Sequence, residues 1–241
     1  MTPTVLTAPG RTRRLLWPAL STLVMLALLL GLGTWQVRRL AWKEAILARI
    51  AQAETAPAVP LGAGPLSPFT KVRVTGTLRN DLFALYGAEV RDTRDGPQMG
   101  AQLIVPLQRP GDAPPVLVDR GWVPTQPRQA IDQPAGTVTV EGYVRAPEKP
   151  GLLSATDDPA GRRFYSLDPA SIGAALGLKR VAPFVLVAMG PIGPGVFPQP
   201  AQSLPRPPNN HLSYAITWYG LAAVLAVIFV LWSRKVLRDE P

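Results

Sequence analysis

The chain has 241 residues, 47% of them hydrophobic, with 28 prolines, no cysteine and a formal net charge of +9. Without cysteine there is no disulfide, thiol relay, thiolate metal site or Cys-x-x-Cys-His attachment of a c-type haem, and four scattered methionines with one histidine make no copper carrier. Six basic residues (Arg11, Arg13, Arg14, Arg234, Lys235, Arg238) lie in the tails and the remainder form no dense basic run, so nucleic acid is not an expected partner.

In chain order, residues 1–14 read as a cytoplasmic tail. Between Arg14 and Arg38 an uncharged stretch, LLWPALSTLVMLALLLGLGTWQV, is long enough for a first membrane-spanning helix over 15–37, bracketed by Trp17 and Trp35. The small-x-small triplet Gly31-Leu32-Gly33 behind RTRR raises a cleaved signal peptide. The apolar run exceeds the signal core of about 7–15 residues, and the helical pattern continues past Gly33. An uncleaved anchor is the expectation. RRLAWKEAILARIAQAE keeps Leu40, Ile46, Leu47 and Ile50 near one helical face, which predicts a helical extension over 38–56, stopped by Pro57 and Pro60.

Residues 57–208 read as one external domain. After the loop APAVPLGAGPLSP come seven strand candidates: FTKVRVTGTL, LFALYGAEV, GAQLIVPLQ, PPVLVDRGWVP, TVTVEGYVRAP, RFYSLD and VAPFVLVAMG. Turn residues such as Arg94-Asp95-Gly96-Pro97 separate them. Asp168-Pro169 opens a short helix, PASIGAALG, with aspartate as N-cap and Gly177 as its stop. The proline-rich MGPIGPGVFPQPAQSLPRPP returns the chain to the membrane in extended form. Asn209 or Asn210 caps a second span over 209–233, with Trp218, Tyr219 and Trp232 towards its ends, and 234–241 is a second tail. The fold class is an α+β membrane protein: two transmembrane helices flanking an antiparallel, barrel-like, β-rich domain with a short helix. Strand order is not legible.

Orientation is read from the flanking charges. The terminal arginines put both tails in the cytoplasm by the positive-inside rule; Arg38, Arg39 and Lys43 argue the other way. Long domains translocate largely regardless of charge, so the main domain is expected outside.

Catalysis has little support. No Gly-x-Ser-x-Gly elbow occurs, and GPIGPG lacks the Gly-Lys-Ser/Thr of a phosphate loop. Asp157-Asp158 and Asp92/Asp95 are conceivable acid–base pairs, but their turn-like settings favour solvated loop carboxylates. An enzyme, including a membrane-anchored hydrolase, is not expected. VLVDRGWVP reads as a strand ending in a tight corner at its glycine, with Arg120 paired to a carboxylate and Trp122 packed inward; the alternative makes Arg120 and Trp122 a contact surface.

Three segments, GTWQVRRLAWKEAIL, VLVDRGWVP and NNHLSYAITWYGLA, together resemble the surfeit-locus family, assembly factors for cytochrome c oxidase. VRVTGTL and VTVEGYVRAPE resemble its strand motifs, and the likeness runs from Gly33 to Trp218. The resemblance implies a role in maturing the haem a-containing oxidase subunit in a bacterial inner membrane, with the domain in the periplasm and the haem a synthesis machinery as a possible further partner. It also implies haem a binding with the NNH histidine, here His211, on the haem iron.

The residues fit that expectation. His211, Tyr214 and Trp218 are spaced i, i+3, i+7, on one helical face, and Trp35, Arg38, Arg39 and Trp42 lie at the corresponding level of the first helix. Arginine forks suit propionate carboxylates. The plainer alternatives are interfacial anchoring for the aromatics, lipid phosphate contacts for the arginines and a helix-end position for His211. The functional alternative is a cofactor-free scaffold that holds an oxidase assembly intermediate.

Overall fold

The computed structural model describes residues 11–62, 66–93, 96–126, 130–148, 151, 154–191 and 196–238. Two compact units are present, one made of the chain ends (1–49 and 206–241) and one of residues 50–205.

Helix α1 (Arg11–Thr55), of which residues 11–49 belong to the first unit, is continuous for 45 residues. At ~1.5 Å per residue it far exceeds a hydrocarbon core of ~30 Å, as the predicted extension requires. It stops two residues before Pro57. The chain's last helix, His211–Arg238, begins at the sole histidine, with the Asn210 carbonyl accepting from the Tyr214 N–H at 3.3 Å. Lys235 and Arg238 in its last turn complement the helix dipole. Both helices are long and apolar enough to span a membrane. Only 6% and 11% of their most apolar windows are buried within the protein, so their greasy faces point outward, unlike a soluble core helix.

The second unit is a barrel. Its strands are β1 (Val59–Pro60), β2 (Lys71–Leu78), β3 (Ala84–Thr93), β4 (Gly96–Gln108), β5 (Val116–Pro124), β6 (Thr137–Arg145), β7 (Arg163–Phe164) and β8 (Val185–Ala188). Pairing runs β1-β2-β6-β8-β5-β4-β3-β7, and a short β2–β4 pairing through Thr77–Gln108 and Leu78–Leu107 closes the ring. All seven predicted strands are present, although RFYSLD contributes only two residues; β1, in the expected loop, is an addition. The Arg94-Asp95 part of the predicted turn lies outside the described residues. The sheet is largely antiparallel, with parallel pairings at β1–β2, β3–β7 and β5–β8. The β5-to-β8 link can be parallel because it is long enough for a crossover.

Alternation sets the inside. In β2, Val72, Val74 and Leu78 are buried while Arg73, Thr75 and Thr77 are exposed. β4 and β5 are buried on both faces: Val116 and Val118 point into the barrel core, whereas Leu117 and Ile104 join an outer cluster with Phe164, Leu167, Ile172 and Leu176. Helix α2 (Pro169–Ala175) covers that outer face. Its N-cap is Asp168, whose carboxylate accepts from the Ala170 and Ser171 N–H groups. Gly177, at φ +75°, ends it in a Schellman turn, with Leu178 N–H on the Gly173 carbonyl at 2.9 Å. The final helix, His211–Arg238, is α3.

β5 does not end in a corner at its glycine. Between the Asp119–Ile104 and Trp122–Gln102 pairs, Arg120 and Gly121 of β5 oppose the single residue Leu103 of β4, so Gly121 (φ +118°) sits in a β-bulge and the strand continues to Pro124. The extra residue re-aims the rest of the strand, and Trp122 turns fully inside.

Candidate functional site at the start of the second span

The site is built on the α1–α3 pair. On α1, Leu29, Gly33 and Gln36 form one stripe at helical spacing, all buried; on α3, Ala215 and Ala222 are buried on the facing stripe, with His211 and Trp218 partly buried. Small residues let helices approach closely in lipid. At Gly33 an added Cβ would lie 2.8 Å from the Tyr219 ring, and the Tyr219 hydroxyl is 3.1 Å from Thr34 Oγ1.

At the end of this seam, His211 Nδ1 lies 2.7 Å from Gln36 Oε1. An amide oxygen only accepts, so in this arrangement Nδ1–H donates, and in the neutral ring the other nitrogen, Nε2, keeps its lone pair. A ring held in that way can ligate a metal or accept a hydrogen bond through Nε2. Two residues earlier, Asn209 Oδ1 is buried without a protein partner among the described residues.

The other residues singled out in the sequence differ in burial. Trp218 shares the half-buried face of His211, while Tyr214 is 55% exposed on the flank. The tyrosine that reaches across to α1 is Tyr219. Trp35 is exposed beside Gln36, and Arg38 and Arg39 are exposed within a turn of it. The Arg39 guanidinium stacks over Trp42 at 3.8 Å from the ring centroid. Gln36 was the residue missed. Its signal was present: a primary amide in an otherwise uncharged, apolar span needs a partner.

Asp157 and Asp158, one of the pairs considered, both accept local hydrogen bonds. Asp157 accepts from the Tyr165 N–H at 2.6 Å, the Ser166 N–H at 3.0 Å and the Ser166 hydroxyl. Burial works to raise its pKa, but these bonds outweigh it and hold the carboxyl below the ordinary range. Asp158 accepts from the Gly161 N–H at 3.0 Å. This is the anchoring of a turn, not an acid–base pair. Asp95, of the other pair considered, lies outside the described residues. Arg120 donates to the Asp132 carboxylate at 3.3 Å and its carbonyl at 2.7 Å, the pairing read from the sequence.

A β-barrel domain and two helices long and apolar enough to span a membrane, with a His–Gln pair on the helix seam, define an α+β protein with two candidate membrane spans. Residues 23–223 match the SURF1 family. The chain is 31% identical to a SURF1-like protein of Monosiga brevicollis, over 96% of this chain and 92% of that one. It is 30% identical to human Surfeit locus protein 1 (88% and 75% covered) and 31% identical to a SURF1-like protein of Rickettsia felis (90% and 97%). The chain belongs to the SURF1 family.

Proposed function

We propose that this protein is a bacterial inner-membrane assembly factor for cytochrome c oxidase that binds haem a and aids its insertion into the haem-bearing subunit. Both termini face the cytoplasm and the barrel faces the periplasm. The observation that carries the reading is the hydrogen bond from His211 Nδ1 to Gln36 Oε1, which leaves one imidazole nitrogen available at the start of a membrane span.

The residues fit the group. Imidazole is a common haem-iron ligand, and the chain offers no thiolate in its place. Arg38 and Arg39 supply exposed cations for propionates, with forked donors matched to carboxylates. The exposed apolar flanks of α1 and α3 suit a hydrocarbon tail. Haem a, when bound, would supply an iron that takes such a ligand. His211 would hold it, Gln36 would orient His211, and the arginines would offset the propionate charge.

The test is an absorption spectrum of protein purified from membranes of cells that make haem a. Haem a absorbance at a fixed ratio to polypeptide is expected. Colourless protein that still co-isolates with the oxidase subunit would replace this reading with a cofactor-free scaffold.

A further inference from the structure

Gln36 is 8% exposed on the buried stripe of α1, and its only hydrogen-bonded side-chain partner among the described residues is His211. A free neutral imidazole prefers its proton on Nε2, the nitrogen that a metal most readily reaches. Here the acceptor oxygen of Gln36 lies 2.7 Å from Nδ1 and stabilises the opposite tautomer. Histidines that ligate metals commonly donate their other ring N–H to such an acceptor, which fixes the ring and makes the ligating nitrogen more basic.

We propose that Gln36 is a positioning residue: it selects the Nδ1–H tautomer of His211 before any ligand arrives, so that Nε2 is the ligating atom. The proposal rests on the haem a reading above. Its consequence is that no proton has to leave the ring when the metal binds. A bond that only tied two helices together would serve equally well with either nitrogen protonated; a ligand site would not.

One histidine in 241 residues makes the test direct. Protein is labelled with ring-15N histidine, carries a tag without histidine, and is prepared from cells unable to make haem a. Its spectrum, taken where the ring is neutral, should show the proton on Nδ1 and a bare Nε2. Gln36→Met keeps the side-chain length but removes the acceptor, and should move the proton to Nε2. In cells that make haem a it should lower pigment per polypeptide roughly 10–100-fold. Gln36→Glu keeps an acceptor and should retain both the tautomer and the pigment, which guards against a Gln36→Met that fails to insert. A wild-type ring protonated on Nε2 overturns the proposal. So does full pigment in Gln36→Met after the tautomer has switched, although the haem a reading would then survive. Pigment that persists in His211→Ala would instead sink that reading itself.

Discussion

The indole of Trp122 in β5 fills the space where a Cβ on Gly100 of β4 would stand. The ring is fully buried, packs on Phe197 at 5.8 Å between centroids and donates Nε1–H to the Glu89 carbonyl at 3.2 Å. One side chain thus ties β5 to β4, β3 and the segment returning to α3.

Trp122→Ala should therefore cost about 3–5 kcal/mol, a large share of a domain's stability. Thermal unfolding of the full chain in detergent should shift down by roughly 10 °C. Gly100→Val should destabilise in the same direction by overpacking, about 1–3 kcal/mol. Normal unfolding of Trp122→Ala with lost oxidase assembly would make Trp122 a contact residue.

Asp119 gives the barrel a pH dependence. It is 3% exposed, and burial pushes its carboxyl up to about 6, against the Gly121 N–H bond and the more distant Arg145 and Arg91. The folded state therefore binds a proton more tightly than the unfolded chain, whose aspartate titrates near 4. This group's stabilisation is full below about 4 and is lost as pH rises towards about 6, by roughly 3 kcal/mol. Asp119→Asn should flatten that part of the stability–pH curve. A wild-type domain that gained stability through this group between those pH values would contradict the buried, proton-binding carboxyl.

The helix seam depends on Gly33. Gly33→Leu must displace the Tyr219 ring, break its hydroxyl contact with Thr34 and separate the stripes that bring Gln36 to His211. Pigment should fall although none of the residues proposed to contact haem is changed. Tyr219→Phe removes only the hydroxyl contact and should have a smaller effect, about 1 kcal/mol. Equal pigment in wild type and Gly33→Leu would show that the seam does not set the site.

Orientation has its own test. Gly111 lies exposed in the β4–β5 connection. A reporter active only outside the cytoplasm should work when inserted there and fail when fused after Pro241. The cysteine-free background also allows a single cysteine at position 111 to be labelled by an impermeant reagent. The reverse pattern would invert the topology.

Much of this architecture was legible because local rules and tertiary structure agree. The two uncharged runs, the alternation in VRVTGTL and the Asp168-Pro169 cap each carry their own signal. The bulge at Gly121 was not legible, since one glycine in a strand serves a corner or a bulge equally well and the register of β4 decides. The closing β2–β4 pair and the parallel β5–β8 pair depend on contacts between distant segments. At the site, the spacing of His211, Tyr214 and Trp218 indicated a shared face, yet helix packing splits it: Ala215 and Trp218 turn towards α1 while Tyr214 turns away. Gln36 was visible only as a lone amide, because its meaning lies in a partner 175 residues away.

The central claim is that His211 holds haem a, and the decisive measurement is pigment per polypeptide in His211→Ala. Wild type, His211→Ala and Arg38→Ala should be compared at equal amounts of membrane-extracted protein from cells that make haem a. His211→Ala should insert and fold normally, since the ring lies at a helix start outside the barrel core, yet lose most or all of its pigment. Arg38→Ala should lose less, as the role proposed for it is confined to propionate charge. Unchanged pigment in a folded His211→Ala would contradict the account and leave the histidine as a helix-end residue.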